Sequence, residues 1–348
     1  MGGKFQKKKI ILISSLSVIF SLVALIILIL FWPQKNPFSI TKVTINSKST
    51  LSDLSQQLYN KKIISNKKMF TWAVQLLGKE TKIPIGTFRL IDAKSNFEII
   101  DQLVYGSPEL KKVTILEGWS LEQIAQYLNK IMDFDQDKII KISKDQRIIK
   151  KYGINASSME GYLYPETYLF FTGDSPDYVI NHLLEQYKRF WTDQLIERAE
   201  AIDMSIHEVI TLASIIEGEA IYDIERPTIS GVYHNRLKKG MLLQADPTIQ
   251  YIIEDGPRRL LNKDLRIDSP YNTYKYVGLP PGPINSPGKE SLMAALYPEK
   301  NDFLFFVATG DGYHTFSKNE RDHNNAKREF QKIRKELKKK LNEPKTIK

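Results

Sequence analysis

The hydrophobic positions of this chain form three kinds of pattern. An uninterrupted apolar run without a charged residue covers residues 10–32, which is long enough to cross a bilayer as a helix. The rest of the chain alternates between short runs of β-forming residues and stretches with apolar positions three or four apart, which predict strands and amphipathic helices. We therefore expect an α+β protein behind one N-terminal hydrophobic helix.

The residues that flank the apolar run predict its orientation. Lysines cluster just before it, at positions 4, 7, 8 and 9, and such lysines stay on the cytoplasmic side of a membrane. A cleaved signal peptide is the alternative, but it would have a shorter apolar stretch followed by small residues, whereas residues 30–33 read Leu-Phe-Trp-Pro. The pattern favours an uncleaved single-pass anchor, with residues 1–9 in the cytoplasm and the remainder outside.

A strand, turn and helix pattern occurs twice, with its copies 70 residues apart, first at residues 43–58 and again at 113–128. Ser120 and Gln123 have the spacing of a capping box at the start of the second helix. A third, partial copy follows residues 88–90, with Asn96 as the expected N-cap. The order strand, helix, helix, strand across residues 41–90 is similar to LysM glycan-binding modules, although their glycine signature is absent. A plain spacer domain is the alternative.

The clearest chemical pattern lies in SIHEVITLASIIEGEA, residues 205–220. Ser205 and Glu208 form a capping box before an apolar face, which predicts a helix that is at least half buried. Glu217 falls at its C-terminal end, where carbonyl dipoles and apolar neighbours disfavour the ionised carboxylate. A protonated acid near neutral pH is what cleavage of a glycosidic bond requires. A surface glutamate without a catalytic role is the alternative.

Polar and aromatic residues suited to sugar recognition follow this helix. Residues 226–237 predict a helix with proline in its first turn, and residues 244–248 predict an extended or turn segment, because the residue before proline avoids the helical region. A rigid loop at 271–283 presents rings and amides that can contact pyranoses. Internal stabilisation of turns is the alternative role for such side chains. The expected substrate contacts are Asn235, Gln244, Asp246, Thr248, Tyr271, Asn272, Thr273, Tyr274 and Pro281.

Composition and charge exclude several kinds of functional site. The chain has no cysteine, its five histidines are scattered without metal-ligand spacing, and it contains no phosphate-binding loop or G-x-S-x-G elbow. The net charge of +10 arises at the termini, in the lysines of residues 1–9 and the basic segment 327–348, so the body between them is nearly neutral. We therefore expect neither a nucleic-acid partner nor a metal or other cofactor.

Seven motifs occur in order along the second half of the chain. They are LEGWS (116–120), EGYLYPETY (160–168), LASIIEGEA (212–220), ERPTISGVYHNRL (225–237), LLQADPTIQY (242–251), SPYNTYKYVGLPPGPINSPG (269–288) and FLFFVATGDGYHTFS (303–317). Through these motifs, residues 117–324 resemble the MltG (YceG-like) family of endolytic peptidoglycan transglycosylases. In that family the catalytic acid is the first glutamate of an SII-E-x-E segment, which corresponds to Glu217 here. The following Gly218 departs from the lysine found in many relatives.

The resemblance implies a lytic transglycosylase. Glu217 would protonate the oxygen between N-acetylmuramic acid (MurNAc) and N-acetylglucosamine (GlcNAc), then take the proton of the MurNAc C6 hydroxyl, which attacks C1 and leaves a 1,6-anhydroMurNAc end. The resemblance also implies that nascent strands are terminated or trimmed beside peptidoglycan synthases. Two alternatives stay open: a non-enzymatic wall-binding protein, and a lysozyme-like hydrolase with a second carboxylate such as Glu219, Glu225 or Asp246, about 5–9.5 Å from Glu217.

These patterns together predict a single-pass protein of the cell (inner) membrane with an extracytoplasmic catalytic domain. The expected segments are a cytoplasmic tail at 1–9, a transmembrane helix at 10–32, a LysM-like module at 33–110, a second small α/β module or connector at 111–172, a mixed α+β catalytic domain at 173–326, and a basic C-terminal helix or tail at 327–348.

Overall fold

The computed structural model describes residues 2–34, 41–46, 48–254 and 256–342, and it is a mixed α+β structure, as predicted. Its helices and strands, in chain order, are α1 (Gly2–Leu30), β1 (Thr41–Ile45), α2 (Leu51–Asn60), α3 (Lys67–Leu76), β2 (Gly86–Leu90), α4 (Asn96–Tyr105), β3 (Leu110–Ile115), α5 (Leu121–Met132), α6 (Gln136–Ser143), α7 (Gln146–Lys151), β4 (Glu166–Phe171), α8 (Pro176–Phe190), α9 (Asp193–Glu200), α10 (Ile206–Glu219), α11 (Arg226–Lys238), α12 (Asp246–Ile252), α13 (Lys289–Leu296), β5 (Phe305–Ala308), β6 (His314–Ser317) and α14 (Glu320–Asn342).

The predicted apolar run forms most of α1. Residues 12–30 are the one candidate membrane span, by length and composition, in the part of the chain that the structure describes. Most of its large apolar side chains are exposed, Phe20 at 76% of its surface for example. An apolar surface of this length favours a lipid environment.

The chain divides into two compact units, the first made of Met1–Lys112 with Leu169–Ser175 and the second of the remaining residues. In the first unit β1 and β2 pair antiparallel, from Thr41 opposite Leu90 to Ile45 opposite Gly86. Helices α2 and α3 lie between these strands in sequence, so the predicted order of strand, helix, helix and strand is confirmed. The apolar core of this unit includes Val43, Leu58, Phe70, Phe88 and Leu103.

Helix α4 of the first unit begins one residue earlier than its sequence pattern indicates. The N-cap is Ser95, whose hydroxyl accepts the Glu98 N–H, so the prediction of Asn96 as the cap was wrong. The Asn96 side chain is used elsewhere, since its amide donates to the carbonyl of Ile29 at 2.8 Å and accepts from Gln34 at 2.8 Å. Ile29 itself belongs to the core of this unit, so the C-terminal end of α1 is packed into it.

The second unit is built around α10, which is buried on nearly every side from Val209 to Ile216. The capping boxes predicted for α5 and α10 are both present, and α11 begins at Arg226 with proline in its first turn, as expected. Strands β5 and β6 of this unit form an antiparallel hairpin. Residues 343–348 of the predicted basic tail lie outside the described residues.

The segment around Asp246 differs from the extended or turn conformation predicted for it. Ala245 is extended and acts as the N-cap, while Asp246 begins α12 with Pro247 in the first turn. A proline at this position lacks only an N–H that a first helical turn leaves unpaired anyway. The proline therefore starts a helix here instead of preventing one.

Candidate active site

Helix α10 carries two glutamates to its C-terminal end. Glu217 and Glu219 are separated by Gly218, and residues two apart in a helix point to different sides. Gly218 lies against α12, because a Cβ added to it would lie 2.6 Å from the Cβ of Pro247. The absence of a longer side chain at position 218 thus has a local steric reason.

Glu217 is almost enclosed, with 8% of its side chain exposed. Its Oε1 lies 3.2 Å from Nη2 of Arg226, and its Oε2 accepts the N–H of Gly288 at 2.9 Å. Arg226 is itself buried, and its Nε donates to Asp223 at 2.9 Å. A cation and an N–H donor both stabilise a carboxylate, so the surroundings of Glu217 are more polar than the apolar helix end that the sequence pattern predicts.

A second carboxyl group meets the same glycine at its Cα. Oε1 of Glu117 occupies the position that a Cβ of Gly288 would need. From this position and the Gly288 N–H bond to Glu217, the carboxyl oxygens of Glu117 and Glu217 lie within about 7 Å of each other. Loss of solvent around its carboxyl, and then the charge of Glu217, raise the pKa of Glu117. Glu117 lies within the motif LEGWS, but the sequence pattern predicts no role for it.

Two backbone hydrogen bonds hold the segment of Glu117 in place. The N–H of Gly118 donates to the carbonyl of Ser286 at 2.9 Å, and the N–H of Ser286 donates to the carbonyl of Trp119 at 2.8 Å. Gly118 also approaches Glu217 closely, since a Cβ added to it would lie 3.7 Å from Cγ of Glu217. Segments 117–119 and 286–288 therefore form one frame around Glu217.

A cleft of about 890 Å³ adjoins this frame. Gly118 and Gly218, the two glycines beside Glu217, belong to its lining, although Glu217 itself does not. Further lining residues come from the start of α5, from the segment before β4 and from α12. They include Ser120, Glu160, Glu219, Asp246, Tyr251 and Asn285.

Two carboxyl groups in the lining are shielded from water. Glu219 accepts the hydroxyl of Tyr233 at 2.9 Å, and burial raises its pKa to about 7. Glu160 is 8% exposed, accepts the N–H of Leu121 at 2.9 Å, and has its pKa raised to about 7, again by burial. Both side chains can thus hold a proton close to neutral pH.

The predicted substrate contacts fall into two groups, of which the first lies in or beside the cleft. Asp246 is exposed in the cleft and accepts the hydroxyl of Tyr274. The ring of Tyr271 packs on that of Tyr251, a lining residue, with centroids 5.0 Å apart. Gln244 is exposed with a φ of 49°. These side chains lie in or next to the cleft, with Gln244 two residues from Asp246.

The other predicted contacts support loops. Thr248 and Thr273 are buried and share a hydrogen bond at 2.9 Å, while the buried Asn272 donates to the carbonyl of Ile267 at 2.7 Å. Asn235 donates to the carbonyls of Asn301 and Phe303. The carbonyl of Pro281 accepts Nε2–H of His207 at 2.8 Å. The sequence alone could not separate these internal bonds from sugar contacts, because the same polar groups suit both.

The acids named for the hydrolase alternative also have distinct surroundings. Glu219 and Asp246 line the cleft, whereas Glu225 is held by His314, whose N–H and Nδ1 lie 3.0 and 2.9 Å from its two carboxylate oxygens. Within the described residues no group of three or more His, Cys, Asp or Glu could hold a metal ion.

Two buried polar atoms beside Glu217 have no hydrogen-bond partner. They are Oδ1 of Asn285 and Oγ of Ser286. The amide of Asn285 is oriented by its other end, where Nδ2 donates to the carbonyl of Ser214 at 2.9 Å. An unpaired buried acceptor is costly, so Asn285, which lines the cleft, offers an oxygen to a bound N–H or hydroxyl.

Comparison with known proteins agrees with these features. The chain is 33% identical over 313 residues to the endolytic murein transglycosylase of Bacillus subtilis (strain 168), covering 85% of this chain and 86% of that protein. It is 29% identical over 275 residues to a protein of the same name from Streptococcus pneumoniae serotype 2, but spans only 50% of its length. A crystal structure of a YceG-like protein from Listeria monocytogenes matches with a TM-score of 0.59 and 34% identity, over 82% of this chain and 98% of that one. Residues 43–329 match the YceG-like family, and the chain therefore belongs to that family.

Proposed function

We propose that this protein is an endolytic murein transglycosylase, a lyase that cuts peptidoglycan glycan strands between MurNAc and GlcNAc and leaves 1,6-anhydroMurNAc ends. The observation that carries the proposal is the identity to the Bacillus subtilis enzyme across most of both chains. The site supports it, because a nearly enclosed glutamate adjoins a polar cleft large enough for sugar rings.

Glu217 is the proposed acid and base. As a carboxylic acid it protonates the glycosidic oxygen, so the bond to C1 of MurNAc breaks and the GlcNAc hydroxyl leaves. The Gly288 N–H and Arg226 then stabilise the carboxylate formed in this step. That carboxylate takes the proton of the MurNAc C6 hydroxyl, whose oxygen forms the new bond to C1. The proton returns to Glu217, and no water is consumed.

The cleft supplies groups for recognition of the amino sugars. The unpaired oxygen of Asn285 accepts an N-acetyl N–H, while the protonated carboxyl of Glu160 donates to a sugar oxygen. Asp246 contacts hydroxyl groups, and Tyr271 and Tyr274 shape the wall around it. Gln244 and Pro281 flank the same region, and Asn235, Thr248, Asn272 and Thr273 support its loops.

The N-terminal half places this chemistry at the wall. Helix α1 anchors the protein in the cell membrane, with the short N-terminus in the cytoplasm and both units outside. The apolar span and the lysines before it support this topology. The strand, helix, helix and strand of the first unit act as a LysM-like module that holds glycan. An anchored enzyme of this kind trims or terminates strands that peptidoglycan synthases are extending.

Digestion of purified peptidoglycan by the full chain in oxygen-18 water tests the proposal. New MurNAc ends should carry no label and be about 20 Da lighter than ends hydrolysed in the same water. Because Glu117 lies at a distance from Glu217 that also suits a two-carboxylate hydrolase, the label and not the geometry separates the two reactions. Labelled reducing ends would identify a hydrolase.

Substitution at the two glutamates of α10 tests the assignment of the acid. Glu217→Gln keeps the shape of the side chain but removes the transferable proton, so the rate should fall at least about 100-fold. Glu219→Gln is the matched control, since glutamine can still accept the Tyr233 hydroxyl, and it should keep most activity. If the control loses cleavage while Glu217→Gln retains it, the acid is Glu219.

A further inference from the structure

The surroundings of Glu217 pose a chemical problem for an acid. Its contacts with Arg226 and the Gly288 N–H both favour the carboxylate, yet the first step of the proposed reaction needs the carboxylic acid. Some group nearby must favour the protonated form. A second negative charge within a few ångströms does this, because two close carboxyl groups cannot both ionise readily.

Glu117 is placed to supply that charge. It reaches Gly288 at the position that a Cβ would occupy, within about 7 Å of the Glu217 carboxylate. Its own segment is tied to Ser286 through Gly118 and Trp119, so its backbone is held beside residues 286–288. Glycine at position 288 leaves room for the carboxyl, since any Cβ there would overlap it.

We propose that Glu117 is a positioning residue that forms a proton-sharing pair with Glu217 across Gly288 and so keeps the catalytic proton available. The inference rests on the proposed function and deepens it. The other charges that act on Glu117 are Asp223, in the short turn before α11, Arg226, the first residue of α11, and Glu290, in the first turn of α13. Arg226 opposes protonation of both members of the pair at once.

The test is the pH dependence of kcat/KM for anhydroMurNAc formation by the full chain. Glu117→Gln removes the neighbouring charge without shortening the side chain. The alkaline limb of the profile should move to lower pH by about one unit, the scale expected for two charges about 7 Å apart near a protein surface. Activity should therefore drop about tenfold above pH 7 and recover toward the parent value at acidic pH.

Three further variants make the result specific. Glu117→Ala removes the charge with a different shape and must move the limb in the same direction, whereas Glu117→Asp keeps a charge and must shift it less. Glu290→Gln removes an exposed acid whose charge acts on Glu117 more weakly than that of Glu217, and it should move the limb less than Glu117→Gln does.

A purely structural role for Glu117 would lower the rate equally at every pH, and an unmoved limb in Glu117→Gln and Glu117→Ala overturns the pairing. Failure of the proposed function is a separate result, because the parent chain would then release no anhydroMurNAc ends at any pH.

Discussion

The pKa of Glu160 shows how strongly burial affects a carboxyl group in the cleft. Burial raises its pKa from the usual 4.5 of a glutamate to about 7. The folded chain therefore binds this proton more tightly than the unfolded chain does. Its contribution to stability is complete below the unfolded pKa and is lost as pH rises through about 7.

The variant Glu160→Gln removes this dependence while keeping an oxygen to accept the Leu121 N–H. With each pKa unit worth about 1.4 kcal/mol, the shift corresponds to roughly 3 kcal/mol in full, of which about 2 kcal/mol falls between pH 5 and pH 8. From pH 5 to pH 8 the free energy of unfolding of the parent chain should therefore fall by about 2 kcal/mol relative to that of Glu160→Gln.

Urea unfolding of the full chain in mild detergent at pH 5 and pH 8 gives the comparison. The matched control is Glu122→Gln, which removes an exposed acid from the same cleft and should alter stability equally at both pH values. If Glu160→Gln also changes the free energy of unfolding by the same amount at pH 5 and pH 8, the carboxyl of Glu160 is not protonated by burial and the reasoning is refuted.

Two further predictions address packing and topology. Gly218→Ala should destabilise the chain by about 1–3 kcal/mol, because its Cβ would overlap Pro247; thermal unfolding measures this, and an unchanged midpoint would contradict the close packing of α10 on α12. Protease added to intact spheroplasts should digest both units if the chain is anchored as proposed, whereas protection of these units until the membrane is broken would place them in the cytoplasm.

Local sequence patterns predicted much of the fold because capping and helix starts depend on neighbouring residues. The Ser205 and Glu208 box and the proline start of α11 are of this kind. Where two residues could serve the same local role, the choice was made by distant contacts. Ser95 and Asn96 are both good caps, but Asn96 is engaged by Ile29 and Gln34, which leaves Ser95 as the cap.

Local sequence patterns predicted less of the candidate site than of the fold. The helical pattern located Glu217 at the end of α10, and the resemblance of the motifs gave it a catalytic role. Its neighbours, however, come from distant parts of the chain. Gly288 is 71 residues away in sequence, and neither it nor Glu117 has a periodic relation to α10. Periodicity reports only which face of an element is buried, so it cannot show which distant side chains meet there.

The junction between α1 and the first unit has a mechanical consequence. A chain that begins after Leu30 would lack Ile29 in its core and deprive the Asn96 amide of its carbonyl acceptor, so such a fragment should be less stable than the unit with α1 attached. If α1 is anchored in a bilayer as proposed, the same contacts would join the helix to the first unit. The tilt of the helix would then be transmitted to that unit, and a change in membrane thickness would rotate it relative to the wall.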